Sequence, residues 1–106
     1  MKGRNKYRAI PTVIDGIRFA SKAEARRYGE LKLLKNAGKI RNLELQPKYL
    51  LDVGGKRIGT YIADFRYRLD GVLIVEDVKG FCTPVYKLKK KLVEALYGIT
   101  ITEVKA

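Results

Sequence analysis

The chain has 106 residues, 23 Lys and Arg against 11 Asp and Glu, and a net charge of +12 with a pI near 10.0. That length holds one core and not two, and a hydrophobic content of 46% excludes a disordered chain. There is no histidine and only one cysteine, Cys82, which excludes His-dependent triads and zinc nucleases, an intrachain disulfide and a cysteine-rich zinc site.

The charge points to a polyanion, most simply nucleic acid, although an acidic partner or a membrane surface would also answer to it. No apolar run approaches the ~18 residues of a membrane span. No apolar segment follows the basic N-terminus, so a secretory signal is not expected. Any enzyme chemistry would rest on carboxylates, lysines, tyrosines and a hard metal ion. Cys82 reads as an inert small residue beside a turn.

Residues 1–11 carry Lys2, Arg4, Lys6 and Arg8 among Gly, Asn and Pro. They read as a basic arm, either touching phosphates on binding or simply solvated. Residues 12–106 form the single domain. Thr12 to Phe19 reads as a small hairpin around Asp15-Gly16, because both turn residues tolerate positive φ. Ser21-Lys-Ala-Glu24 is a capping box opening a helix that runs to about Ala37, with Gly38 as its stop. Glu24, Tyr28, Leu31 and Leu34 make its apolar stripe, so Glu24 should point inward. An inward carboxylate needs a partner, either the cap itself or a cation. The arginines and lysines of this helix, Arg27 and Lys32 among them, read as mostly solvated.

Leu43 to Val53 reads as the first long strand, with Pro47 favouring an edge or a bulge. Gln46 reads as an outward-facing strand residue. Gly54-Gly55 turns the chain, and Thr60 to Leu69 returns as the second strand. A turn at Asp70-Gly71 then leads into the third strand, ending Val75-Glu-Asp-Val-Lys-Gly80. A two-residue loop there sets Leu69 against Val72 and carries Asp64 opposite Asp77. Two facing carboxylates repel unless something positive lies between them. Lys79 shares the face of Asp77, whereas Glu76 points the other way, opposite Phe65. The group is either a hard-cation site with a lysine at its rim or a solvated residue beside a surface ion pair. Val72 to Val75 is apolar on both faces, as in a central strand covered by helices. Arg66 and Arg68 share the face of Asp64, where they would meet a phosphate backbone or merely solvent.

Thr83 caps the second helix, Pro84 takes its first position and Gly98 ends it. Val85, Leu88, Leu92, Ala95 and Leu96 form its expected core stripe. Lys87, Lys89, Lys90 and Lys91 crowd the rest, as phosphate contacts or as a solvated face. Tyr86, Lys90, Val93 and Tyr97 are expected on the far side, as at a subunit contact or nucleic-acid surface. Ile99 to Val104 alternates and makes the last strand, returning parallel to the third through a helical crossover. The fold class is α/β in the α+β sense: a small hairpin, then α, β, β, β, α, β, with helices on a mixed sheet.

That order, with these residues in these places, resembles the core of the PD-(D/E)xK nuclease superfamily, also called restriction-endonuclease-like. The chain is more closely similar to a family of short phage-encoded proteins of unknown function assigned to that superfamily. The resemblance rests on residues 16–28, Leu43-Glu-Leu-Gln-Pro47, Tyr61-Ile-Ala-Asp-Phe65, Val75 to Phe81 and Thr83 to Lys90. It has Ile-Ala-Asp where the superfamily's name has Pro-Asp. It also resembles resolvase-like and transposon-end-cleaving nucleases, the latter at Gln46-Pro47, which makes Gln46 a second-shell candidate.

The resemblance implies Glu24, Asp64 and Asp77, with the Val78 carbonyl, holding one or two Mg²⁺ or Mn²⁺, and Lys79 orienting or deprotonating water. It implies a metal-dependent endodeoxyribonuclease, in the host cytoplasm if phage-encoded, acting on DNA in recombination, replication or packaging. Arg66, Arg68, Lys87 and Lys90 are the candidate DNA contacts. The alternative is a non-catalytic DNA-binding protein that keeps the fold. A homodimer fits a domain too small to cover much duplex, and no membrane partner is expected. Asp77→Ala is expected to abolish cleavage, Glu76→Ala to spare it, and DNA binding to depend strongly on salt.

Overall fold

The computed structural model describes residues 10–106. The basic arm expected over residues 1–11 therefore lies, apart from its last two residues, outside the described residues. β1 (Thr12–Ile14) and β2 (Ile17–Phe19) close the expected hairpin, with Asp15 and Gly16 both at positive φ. α1 (Lys22–Asn36) follows. Ser21 Oγ accepts the Glu24 N–H at 3.1 Å, and Glu24 Oε1 accepts the Ala20 N–H at 3.0 Å, so the expected capping box forms with its return bond one residue before the N-cap. The buried face of α1 is Ala25, Tyr28 and Leu31, whereas the expected Leu34 lies exposed.

The two long strands expected next are each broken in two. β3 (Arg41–Leu45) and β4 (Lys48–Val53) replace the first, β5 (Lys56–Ile62) and β6 (Phe65–Leu69) the second. The cause is local. Pro47 has no N–H for a ladder, and Gln46 turns to φ 52°, a conformation that ends a straight strand. The partner strand bends at the same level, at Ala63 and Asp64. Two hydrogen bonds still cross the bend, Gln46 N–H to Asp64 O at 3.0 Å and Ala63 N–H to Pro47 O at 3.1 Å. One ribbon is thus folded into two sheets, β4 with β5, and β3-β6-β7-β8, where β7 is Val72–Lys79 and β8 is Ile101–Lys105. Asp70-Gly71 forms the two-residue loop, with Leu69 facing Val72 and Phe65 facing Glu76. β8 runs parallel to β7, pairing Val75 with Ile101, and α2 (Pro84–Tyr97) makes the crossover. The result is an α+β fold with a mixed sheet and two helices among the described residues.

Two apolar clusters flank the sheet. One joins α1 and the first hairpin to it through Phe19, Tyr28, Leu31, Phe65 and Tyr67. The other joins α2 and the β4–β5 ribbon to it through Tyr49, Leu51, Tyr61, Val75, Tyr86 and Val93. β7 is covered only where it meets both clusters. Val75, Glu76 and Asp77 are buried, but Val72 and Leu73 at the turn end are exposed, contrary to a strand apolar and covered throughout.

α2 presents the face opposite to the one expected. Tyr86 and Val93 are its buried residues, Tyr97 Oη donates to the Leu50 carbonyl at 2.8 Å, and the Tyr49 and Tyr97 rings stand edge to face at 5.0 Å. Val85, Leu88, Ala95 and Leu96 lie exposed, and only Leu92 of the expected stripe packs against the core. The first stripe is apolar throughout and the second carries Lys90 among Tyr86, Val93 and Tyr97; the second is selected because its rings and hydroxyls reach partners on the ribbon and on β8. No helix among the described residues is long and apolar enough to cross a membrane.

Candidate carboxylate and lysine site

Asp64 lies at the bend rather than within a strand, and three backbone-level bonds fix it there. Its N–H donates to the Glu76 carbonyl at 3.0 Å, its carbonyl accepts the Gln46 N–H at 3.0 Å, and its Oδ2 accepts the Val78 N–H at 2.7 Å. The β6–β7 register ends at Phe65–Glu76, one step short of the expected facing of Asp64 and Asp77, and Asp64 meets the end of β7 through Glu76 and Val78. Gln46, an exposed residue, reaches Asp64 through its backbone.

Of the two readings left open for Glu24, the structure shows the cap, served by Oε1, and its carboxyl also acts on Asp64. Burial first, then the Glu24 carboxyl, pushes Asp64 up to about 7; the Val78 N–H and the charge of Lys79 act the other way. Asp77 is 2% exposed, and burial pushes it up to about 6 against the opposing charge of Lys79. Its Oδ2 is buried with no hydrogen-bond partner. An unpaired buried carboxylate oxygen is costly unless a proton or a cation serves it.

Lys79 is held by a residue the sequence reading had turned outward. Its Nζ lies 4.1 Å from the Tyr86 ring centroid, a cation–π contact. Tyr86 Oη donates to Glu103 Oε2 at 2.9 Å, and Glu103 also pairs with Lys90 at 3.3 Å. Burial pushes the Tyr86 phenol up, and Tyr86 and Lys90 hold Glu103 low. Glu103 is the β8 register partner of Asp77. Parallel pairing of the last strand with the third was the available signal for it, but fixing its register needs the structure.

Of the candidate DNA contacts, Arg66 is committed within the chain. Its guanidinium pairs with both Glu44 oxygens and donates to Tyr49 Oη at 2.9 Å. Arg68 donates to the Gly71 carbonyl at 3.1 Å. Both line a groove with Glu44 and Leu73, apart from the one that holds Asp77 and Lys79. Lys90 is paired to Glu103, Lys87 is exposed, and Lys89 is the α2 lysine that lines the groove of Asp77 and Lys79.

Glu76 is no solvated bystander. It is 1% exposed, takes two bonds from Arg27 at 2.9 and 2.7 Å, and accepts from Tyr67 Oη. Arg27 is therefore not solvated, and Lys32 pairs with Asp15. Burial and Glu76 push the Tyr67 phenol up to about 12.

The donors around Asp77 are all oxygens, the set that suits a hard divalent cation rather than zinc or copper. The orphaned Asp77 Oδ2 fits such an ion. Among the described residues, however, no group of three or more Cys, Asp and Glu side chains is drawn together tightly enough to hold a metal ion as placed. One Glu24 oxygen serves the helix cap and Asp64 Oδ2 accepts the Val78 N–H, which leaves Asp77 Oδ2 as the buried oxygen without a partner.

The family model described as a protein of unknown function, DUF1064, matches residues 4–105. No curated protein matches the chain.

Proposed function

The chain belongs to the DUF1064 family, and we propose that it is a divalent-metal-dependent endodeoxyribonuclease with a PD-(D/E)xK-type core and site. The observation that carries the reading is the buried Asp77 carboxylate, with Oδ2 unpartnered, in one groove with Lys79 and under the influence of Glu24. Asp64 feels both Glu24 and Lys79, and Asp77 feels the same two side chains, so a helix, a bend and a strand bring their charges to bear on one end of β7.

Asp64, Asp77 and the Val78 carbonyl would hold Mg²⁺ or Mn²⁺, with Glu24 as the third carboxylate. Such an ion, when bound, polarises a phosphate and makes bound water more acidic. The proton favoured by the raised Asp64 and Asp77 must leave these carboxyls before they offer full negative charge. Lys79, steadied on the Tyr86 ring, orients the attacking water or neutralises charge growing on the phosphate oxygens. The net charge of +12 supplies the long-range attraction to DNA. A structure-specific phage enzyme, working in the host cytoplasm and as a homodimer when both strands are cut, suits a domain of this size.

A second reading is a DNA-binding protein that does not cut, favoured by the absence of a ready three-carboxylate group among the described residues. Replacing Mg²⁺ with Ca²⁺ separates the two. Cleavage of plasmid DNA that stops in Ca²⁺ while binding persists supports the nuclease. Binding in both ions with no cutting in Mg²⁺ or Mn²⁺ supports the second reading.

A further inference from the structure

Among the described residues, two buried side-chain atoms have no hydrogen-bond partner: Asp77 Oδ2 and Tyr61 Oη. Both residues line the same groove, about 320 Å³ in volume, between β5, the end of β7 and the start of α2. The proposed metal seat gives Asp77 Oδ2 a role. It gives none to the tyrosine hydroxyl.

Tyr61 is 4% exposed, and its ring packs in the core beside Tyr86 at 6.3 Å between centroids. The ring alone does that packing, and phenylalanine would do it as well. A buried hydroxyl without a partner lowers stability relative to an apolar isostere. None of the described residues partners it, and the groove indicates the charge of a ligand that would. Lys79 and Lys89 face one carboxylate, Asp77, and the N-terminal end of α2 opens at the same place through Thr83 and Tyr86. Thr83 Oγ1 is engaged by the Tyr86 N–H at 3.1 Å, and Lys79 by the Tyr86 ring. Lys89 has its stem beside Gly59, where an added Cβ would lie at the ordinary contact distance of 3.6 Å from its Cε, and it lines the rim of the groove. A buried hydroxyl donor, a rim ammonium and a helix N-terminus together suit an anion with several acceptor oxygens.

We propose that this groove seats a phosphodiester group of the DNA strand, with the Tyr61 hydroxyl donating to a non-bridging oxygen and Lys89 closing on it from the rim. The proposal rests on nucleic acid as the ligand, but not on cleavage or on a bound metal. It makes Tyr61 and Lys89 substrate-binding residues in place of Arg66 and Lys90, whose charges are satisfied within the chain.

The test is binding of a fluorescently labelled oligonucleotide to the full chain in EDTA, where no cutting occurs, together with thermal unfolding of each protein. Tyr61→Phe changes no charge, so it cannot act through general electrostatic attraction. The expected result is roughly ten-fold weaker binding by Tyr61→Phe, from loss of one hydrogen bond to a charged group, at an unchanged or higher Tm. Lys89→Ala is expected to weaken binding and to reduce the slope of log affinity against log salt by about 1. Wild-type affinity in both variants overturns the phosphate seat and leaves the nuclease reading standing. Unchanged binding with a lower Tm for Tyr61→Phe also overturns it, and assigns the hydroxyl to a water bridge with Asp77. A wild-type chain that binds no DNA overturns the seat and the nucleic-acid reading together, whereas binding without cleavage leaves the seat intact and removes only the nuclease.

Discussion

The ammonium of Lys79 rests 4.1 Å from the centroid of the Tyr86 ring, so a residue of α2 sets the position of the candidate catalytic cation on β7. The ring, not the hydroxyl, makes this contact. Under the nuclease reading, Tyr86→Leu should lower kcat about 2- to 30-fold, the rate equivalent of a cation–π contact of roughly 0.5–2 kcal/mol. Tyr86→Phe should keep most of the activity. Equal losses in the two would assign the role to the hydroxyl and Glu103 instead. Steady-state kinetics with Tm as a folding control decides it.

Glu76 changes meaning between sequence and structure. Its direction, opposite Phe65, follows from the hairpin register, but Arg27 lies 49 residues away and no local pattern links them. As a buried acceptor for Arg27 and Tyr67, its loss leaves the phenol unpaired and the guanidinium with Glu30 alone. Glu76→Ala should therefore cost about 3–5 kcal/mol of stability in urea unfolding, and Glu76→Gln, which keeps an acceptor, distinctly less. A loss under 1 kcal/mol in the alanine variant would mean the ion pair is not formed in solution. Glu76→Gln, rather than the alanine, is the suitable companion to Asp77 variants in activity assays.

Asp64 and Asp77 predict an unusual pH dependence. Carboxyls that titrate near 3.8 when unfolded are pushed up to about 7 and about 6 in the native chain. Between about pH 4 and 7 the native state therefore holds protons that the unfolded state has lost, so their contribution to stability falls as pH rises. Without added metal, Tm should contain a component that declines between pH 5 and 7.5, and Asp64→Asn should flatten it. Mn²⁺ should raise Tm more at pH 7.5 than at pH 5, because protons compete for the same oxygens. A profile identical in wild type and Asp64→Asn would contradict the buried pair.

What the sequence could reveal was set by how local each signal is. The Asp15-Gly16, Gly54-Gly55 and Asp70-Gly71 turns, the Ser21 and Thr83 caps and the Gly98 stop are written in adjacent residues, and all are present. The bend at Gln46-Pro47 was legible as an interruption. Its consequence, a ribbon divided between two sheets with Asp64 at the fold, depends on both strands bending together. The face of α2 was not legible, because an aliphatic stripe and an aromatic one that includes Lys90 share that helix. The choice between them is made by Tyr86, Val93 and Tyr97 meeting the ribbon and β8. Near the candidate site, Glu24, Asp64, Asp77 and Lys79 stand out from spacing and register and from the resemblance, whereas the contacts of Tyr61, Tyr86 and Glu103 are tertiary.

That face is directly testable. Val93 is fully buried and Leu88 is 67% exposed. Val93→Ala should cost roughly 1–3 kcal/mol, and Leu88→Ala should stay within about 0.5 kcal/mol of wild type. The reverse order would put the helix the other way round.

The most direct test of the central claim is cleavage of supercoiled, linear, single-stranded, flap and four-way-junction DNA in Mg²⁺ or Mn²⁺, by wild type, Asp77→Asn and Lys79→Ala. The account predicts metal-dependent cutting of at least one substrate, lost in both variants while each still folds and still binds DNA. Tight binding with no cutting of any substrate by the wild type, or cutting that survives in Asp77→Asn, would contradict it.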